Sequence, residues 1–255
     1  MIMADREMEG RRFWRPFFLG LAALVAAAGL IAPGAAQAAM RGYIVTDFNS
    51  IKVEAPVRIV LTTGSGASGM GEGDRDVLDR VDLSVSGGSL TVRMKDSPDS
   101  SLAKSGGGKK GAQSVPILTI STGVLRRAAV NGGGALTIRN LDGLEVDLSM
   151  NGAGDMLVEE AKVDRLNLYV SGGGRVTVKG TAKTVRASAN GPGTIEAADL
   201  VAGQATIAND GVGSVRITVN GPAKVVSIGS GDTTIGGKAI CDVTQRGVGQ
   251  VICGQ

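Results

Sequence analysis

The sequence holds few of the residue types that carry out catalysis. It contains no His and only 2 Cys, which removes the commonest general base and the commonest zinc ligand. Hydrolysis of a polysaccharide would instead need two carboxylates about 5 to 10 Å apart. Candidates at outward positions are Asp147 with Asn167, and Glu159, Glu160 and Asp164. The spacing gathers no acids from neighbouring repeats into one cluster. We therefore expect no catalytic residues, and a polysaccharide lyase or hydrolase that uses surface carboxylates is the alternative.

Two kinds of glycine-rich stretch could bind a cofactor or a metal ion. Gly64–Gly69 matches the G-x-G-x-x-G pattern of dinucleotide sites, but that motif needs a helix to begin there, and more glycines follow. We expect a flexible turn instead. Gly152–Asp155 and Gly229–Asp232 are similar to calcium-binding β-roll turns, which need an Asp in successive units. In the next repeat Asp155 would meet Arg175. We expect a surface ion pair there, and neither a cofactor nor a metal.

Charge and aromatic content exclude a further class of partner. The chain has 27 Lys and Arg against 24 Asp and Glu, a formal net charge of +3 over 255 residues. This is too weak to indicate a nucleic-acid surface. Beyond residue 18 the only aromatic residues are Tyr43, Phe48 and Tyr169. Aromatic platforms for stacking bases or sugars are therefore nearly excluded.

The elements that must position the polar residues come from an internal repeat. The string x-G-x-G recurs seven times at intervals of 18 to 20 residues, beginning at Asn131, Asn151, Ser171, Asn190, Asp210, Ile228 and Arg246. After each motif apolar and mostly polar residues alternate, as in Leu136, Thr137 and Ile138. This alternation predicts a strand with one face inward. The strand before each motif alternates too, and its outward row reads Asp147, Asn167 and Arg186.

A unit of about twenty residues cannot bury its apolar face alone, so the repeats must stack on one another. We predict an all-β fold, a parallel β-helix or β-solenoid, right-handed, with rungs of 18 to 20 residues. Equivalent strands would lie roughly 4.8 Å apart. The glycines would serve turns that need a positive φ and a close approach between rungs. The first motif positions predict a hydrogen-bonded polar ladder of Asn131, Asn151, Ser171, Asn190 and Asp210.

The first residues of the chain have the layout of a secretory signal. A basic start precedes the uncharged segment Phe17–Ile31, and Ala36-Gln-Ala38 follows, which predicts cleavage between Ala38 and Ala39. Retention as a membrane anchor is the alternative, although the uncharged segment is short for a span of about 20 residues. No later apolar run is long enough to cross a membrane. We expect an exported protein in the periplasm, at the cell surface or secreted.

Residues 39–255 are expected to form one domain. Residues 43–122 predict an N-terminal β cap, with strands within 43–63, 80–94 and 117–121, and residues 123–255 hold the repeat rungs. Residues 96–114 have no apolar pattern, so we expect a mobile loop within the cap.

The two cysteines flank the last x-G-x-G motif. Cys241 and Cys253 both fall on inward rows of the alternation, roughly opposite one another. In an exported protein this predicts a disulfide that pins the terminal rung, worth on the order of 3 kcal/mol. A redox or metal pair is the alternative, but the C-x₁₁-C spacing is not typical of either and no partner ligands are present.

These features together resemble the auto-transporter adhesin head GIN domain family of bacterial envelopes. The matching segments are Asp47-Phe48, Ile51–Val53, Val57–Ile59, Val85–Val92, Val115–Ile120 and the run of G-x-G rungs. The resemblance covers about residues 43–254. It implies an exported β-solenoid of a Gram-negative-type envelope. The regular rungs, the signal and the missing catalytic residues indicate a module that binds, adheres or serves as a scaffold. Its partner would be an envelope protein or glycan, or a second copy that pairs through the solenoid ends.

Overall fold

Strands make up nearly all of the described chain, which comprises residues 39–95 and 115–254 of this computed structural model. The predicted signal segment 1–38, the predicted loop 96–114 and residue 255 lie outside the described residues. The first strands are β1 (Ala39–Tyr43), β2 (Ser50–Val53), β3 (Arg58–Thr63), β4 (Ser68–Gly73), β5 (Val81–Ser86), β6 (Ser89–Met94) and β7 (Ile117–Thr122). The repeat strands are β8 (Arg127–Gly132), β9 (Ala135–Gly152), β10 (Asp155–Ser171), β11 (Arg175–Gly191), β12 (Thr194–Gly211), β13 (Val215–Val219), β14 (Pro222–Ser227), β15 (Thr233–Gly236), β16 (Ile240–Gln245) and β17 (Val251–Cys253).

The predicted β-solenoid is confirmed, with about 6 turns. Strands β9 to β12 are 17 or 18 residues long and pair in parallel, each with the equivalent residues of the next rung. Each long strand turns a corner in its middle. We call the outward side of the strand segments after the corner, together with β8, β14 and β16, the front face. The outward side of the segments before the corner, together with β3, β13, β15 and β17, is the back face.

The inward rows form one continuous core. Leu136, Met156, Val176 and Ile195 stand in register on successive rungs and are at most 1% exposed. The corner residues Leu141, Ala161 and Leu200 are buried as well. Each rung therefore buries its apolar face against its neighbours, as the period of the repeat predicts.

The strands before the repeat extend the same stack. β2 pairs in parallel with β6 on one side and β8 on the other, and β3 lies in the same way between β7 and β9. Antiparallel strands then close this end, because β4 pairs with β7, β1 with β4, and β5 with β6. Residues 44–49, expected to be extended, are not part of any strand.

The stretch Gly64–Gly73 differs from the flexible turn that the sequence predicts. Its second half is strand β4, which is paired on both sides. The glycines are needed for packing: a Cβ atom on Gly71 would lie 2.9 Å from Leu78 Cδ2 and 2.9 Å from Tyr43 Cε2. The glycine-rich sequence here makes room for side chains that cross the strand.

A short helix, α1 (Arg75–Arg80), follows β4 and was not predicted. Its Val77 and Leu78 are buried. The Tyr43 hydroxyl donates a 2.9 Å hydrogen bond to the Leu78 carbonyl, and burial raises the pKa of Tyr43 above its ordinary value of 10.0. A single helical turn of this length has too weak a periodic pattern to be recognised from sequence.

At the other end, Cys241 and Cys253 form a disulfide-capable pair with Cα atoms 6.4 Å apart. They continue the inward rows of Ala223 and Ile235. Within the described chain no strand covers the outer side of β16 and β17. As a result Val243, which continues an inward row, is 41% exposed.

Candidate binding face

The two glycines of each x-G-x-G turn meet different requirements. The first has a positive φ on four rungs, for example +130° at Gly152. The last has no room for a side chain: a Cβ atom on Gly213 would lie 1.8 Å from the carbonyl oxygen of Gly193 one rung away. The turns therefore stack backbone on backbone, which fixes the register of the strands that follow them.

The predicted polar ladder residues stand side by side on successive rungs, as Asn131, Asn151, Ser171, Asn190 and Asp210 pair through the strand register. One side-chain hydrogen bond joins them in the described structure, from Asn151 Nδ2 to Asn131 Oδ1 at 3.0 Å. The ladder lies at the glycine turns.

Outward side chains of the front face form two parallel rows. The polar row consists of Arg127, Asp147, Asn167, Arg186, Thr206, Lys224 and Asp242. Two residues further along each strand is the small row, which consists of Ala129, Ser149, Tyr169, Ser188, Ala208 and Val226. The sequence predicted the row Asp147, Asn167 and Arg186, and the structure places these three on adjacent rungs.

A groove of about 390 Å³ lies over the strands between these rows. Its lining residues are Asp147, Leu148, Ser149, Asn167, Leu168, Tyr169, Arg186, Ala187, Ser188, Thr206 and Ala208. Tyr169 is 41% exposed, whereas Phe48 is buried and Tyr43 half-buried. Tyr169 is thus the most exposed aromatic residue among those described. Its position between the inward Leu168 and Val170 is the signal by which the sequence could have shown this.

The charges along the polar row are unevenly satisfied. The Asp147 carboxylate accepts a 2.7 Å hydrogen bond from Asn167 Nδ2 and lies 3.6 Å from Arg127 Nη2. Arg186, on the next rung beyond Asn167, forms no ion pair with any described residue. Within the described chain, the Arg186 guanidinium therefore lines the groove with Tyr169 and has no carboxylate paired with it.

The carboxylates considered for catalysis differ in their partners within the described structure. Asp164 forms an ion pair with Lys183 at 2.8 Å, and Glu159 and Glu160 are exposed without a partner among the described residues. Asn167 Nδ2 also lies 3.5 Å from Glu145, which pairs with Arg165 at 3.1 Å. Acids and bases thus alternate from rung to rung.

Of the turn residues considered for calcium, Asp232 forms a hydrogen bond within the fold. Asp232 Oδ1 accepts a 2.9 Å hydrogen bond from the Gln250 amide. Asp155 lies beside Arg175 in the register, although the side chains form no ion pair in the described structure. No group of three acidic, His or Cys side chains suited to a metal ion occurs within residues 39–95 and 115–254.

Comparison with known proteins gives the family. The family described as "Putative auto-transporter adhesin, head GIN domain" matches residues 47–239. The chain belongs to this family. No curated protein matches the chain.

Solved structures show the same head GIN domain fold. A "putative adhesin" from Bacteroides fragilis is 21% identical, with a TM-score of 0.75, over 86% of this chain and 98% of that one. A "putative adhesin" from Parabacteroides distasonis is 20% identical, with a TM-score of 0.62, over 86% and 98%. A "Putative lipid binding protein", also from Parabacteroides distasonis, is 18% identical, with a TM-score of 0.59, over 85% and 96%. In the described part of the chain, no helix has the length and apolar character to cross a membrane.

Proposed function

We propose that this head GIN domain protein is an exported, non-catalytic module of the bacterial envelope that binds a glycan or a protein, in an adhesion-like or scaffolding role. The observation that carries the proposal is the front face, where in-register rows border a groove with an exposed Tyr169 and with Arg186, which forms no ion pair among the described residues. Side chains fixed on a stacked sheet are held in position for recognition, which lowers the ordering cost of binding. The adhesin description of the family supports the same role.

Export through the predicted signal is part of this proposal. Cleavage between Ala38 and Ala39 would release residues 39–255 as one domain, with the cap at 43–122 and the rungs at 123–255. The mature chain would then act in the periplasm, at the cell surface or outside the cell. A cysteine pair that can form a disulfide suits any of these oxidising compartments.

The terminal rung is suited to contact a second copy of the chain. Strands β16 and β17 have no partner on their outer side in the described chain, so their outward N–H and C=O groups are open to another strand. The same six-residue edge on two copies can pair antiparallel about a twofold axis. The proposed module would then present two front faces, which strengthens weak contacts through avidity.

Cross-linking in intact cells tests the proposed function. A photoreactive residue is placed at Ser188 on the front face or, as the matched control, at Thr177 on the back face, and the chain is recovered through a C-terminal tag. Mass spectrometry should find a recurrent glycan or protein attached at Ser188 and not at Thr177. Recovery of uncross-linked monomer alone would contradict a binding role. Cleavage of envelope polysaccharide by the purified mature chain would favour the enzyme alternative.

A further inference from the structure

The groove presents an exposed aromatic ring on a bed of small residues. On the adjacent rungs Tyr169 has Ser149 on one side and Ser188 on the other, followed by Ala208. No neighbour in the small row is large enough to cover the ring, which leaves Tyr169 41% exposed. A ring with an apolar body and a polar tip, held beside hydroxyl groups, suits the apolar side of a sugar ring.

Two cations of the polar row, Arg186 at the groove and Lys224 further along, form no ion pair among the described residues. Arg186 is one rung from Asn167 and two residues before Ser188, so it borders the ring diagonally. Lys224 lies two rungs beyond Arg186 in the same row, and although Asp242 follows it on the next rung, the two form no ion pair in the described structure. At a strand spacing of about 4.8 Å, the two cations are separated by roughly 10 Å, comparable to the length of a disaccharide unit.

Side chains that could hydrogen-bond to sugar hydroxyls line the same groove as Tyr169 and Arg186. Asn167 uses its Nδ2 atom on Asp147, which leaves its Oδ1 atom as an acceptor. Ser188 and Thr206 supply hydroxyls that donate or accept. The combination of an aromatic surface, a free guanidinium and several hydroxyl-bonding groups is more specific than a charged patch, because it recognises a ring and an anion together.

We propose that the groove around Tyr169 binds uronic-acid residues of an anionic polysaccharide that lies along the stack. The sugar ring contacts Tyr169, its carboxylate pairs with the Arg186 guanidinium, whose planar fork matches a carboxylate, and a later carboxylate reaches Lys224. This inference rests on the proposed binding function and names its ligand class. It needs no covalent step.

Titration calorimetry of the mature chain with tetragalacturonate tests the proposal, with neutral maltotetraose as the comparison sugar. Tetragalacturonate should bind saturably, and more weakly at high salt because the carboxylate contacts are screened. Tyr169→Ala and Arg186→Gln should each weaken binding about tenfold or more. The matched control is Arg175→Gln, which removes an unpaired exposed arginine from the back face and should leave the affinity unchanged. Unaltered circular dichroism and melting temperature show that each variant is folded.

Three results would overturn the inference. One is the absence of saturable binding of tetragalacturonate, and another is equal binding of maltotetraose, since the carboxylate would then not be recognised. The third is equal weakening by Arg175→Gln and Arg186→Gln, which would indicate non-specific attraction. Binding of phosphatidylglycerol vesicles in place of the sugar, lost in Tyr169→Ala, would assign the groove to a lipid headgroup. If any of these results occurs while a partner is still captured through Ser188 in cells, the uronic-acid ligand is rejected and the proposed binding function stands.

Discussion

Single residues decide how closely the rungs approach one another. The position between the two glycines of the x-G-x-G motif accepts a side chain, since Ala153, Pro192 and Val212 occupy it on three rungs. The last glycine is closed, as Gly213 would place a Cβ atom 1.8 Å from the Gly193 carbonyl oxygen. Sequence spacing alone predicts that glycine is needed in these turns. Only the stacked backbones show which positions have no room, and on later rungs these include the first glycine, since a Cβ atom on Gly229 would lie 1.8 Å from the Gly211 carbonyl oxygen.

Substitution at these two positions should therefore have unequal effects. Gly213→Ala forces two rungs apart and should lower the free energy of unfolding by about 3 kcal/mol or more. Gly173→Ala is the matched control, because its nearest neighbour would be Pro192 Cγ at 3.9 Å, and it should change stability little. Urea unfolding followed by circular dichroism measures both. Equal destabilisation by the two variants would contradict the close-approach account.

Asn209 is a buried polar residue that the sequence analysis did not identify. It occupies an inward position, and its Nδ2 atom lies 3.2 Å from the Gly213 carbonyl and 3.2 Å from Thr233 Oγ1. Ser227, beside it on the next rung, is also buried, and among the described residues neither its hydroxyl nor Asn209 Oδ1 has a hydrogen-bond partner. Asn209→Ala should cost about 2 kcal/mol, whereas Ser227→Ala should be neutral or stabilising. Thermal unfolding would contradict this if the order were reversed.

Glu54 gives the cap a pH-dependent contact. Hydrogen bonds from Lys52 and from Arg93, the latter at 2.6 Å, hold the pKa of Glu54 below its ordinary value of 4.5. The contact therefore stabilises the fold above that pH and is lost as the pH falls through the lowered pKa. Glu54→Gln should be slightly less stable than the native chain at neutral pH, and the difference should disappear as the pH falls through the lowered pKa of Glu54. Glu159→Gln, at an exposed carboxylate without a described partner, should show no such difference in urea midpoints.

Among the elements, the repeated strands were predictable and the cap was predictable only in part. In the rungs each inward position recurs on the next repeat. A small residue such as Ala197, which by itself does not indicate an inward position, is therefore assigned from the apolar Val178 and Ile217 at the same position of the neighbouring repeats. In the cap no such copies exist. The glycines of strand β4 therefore predict a turn, which is wrong, and no sequence pattern predicts helix α1.

The terminal rung should depend on the cysteine pair. A cross-link over 12 residues contributes about 3 kcal/mol in the chain-entropy account, and no described strand covers this rung. Replacing both cysteines by serine should speed hydrogen exchange in β16 and β17 and leave β9 to β12 unchanged, because solenoid rungs contact only their neighbours. Exchange measured by mass spectrometry checks this. Loss of protection throughout the stack would show that the solenoid unfolds as one unit from this end.

At the scale of the molecule, the stack explains both what the sequence could predict and what it could not. The period of glycine and apolar residues is a property of the sequence, so the solenoid followed from it. The groove arises from residues about twenty positions apart that the register brings together, such as Ser149, Tyr169 and Ser188. With only three aromatic residues beyond residue 18, composition favoured the exclusion of a sugar site. The position of Arg186 beside Tyr169 is visible only in the structure.

The central claim is that the front face binds an envelope polymer without cleaving it. Its most direct test is light scattering coupled to gel filtration of the purified mature chain after prolonged incubation with anionic polysaccharide from the envelope. The account predicts that protein elutes with the polymer, that Tyr169→Ala abolishes this, and that the polymer keeps its mass. A polymer mass that falls in proportion to the protein added would contradict the account and favour a carbohydrate-active enzyme.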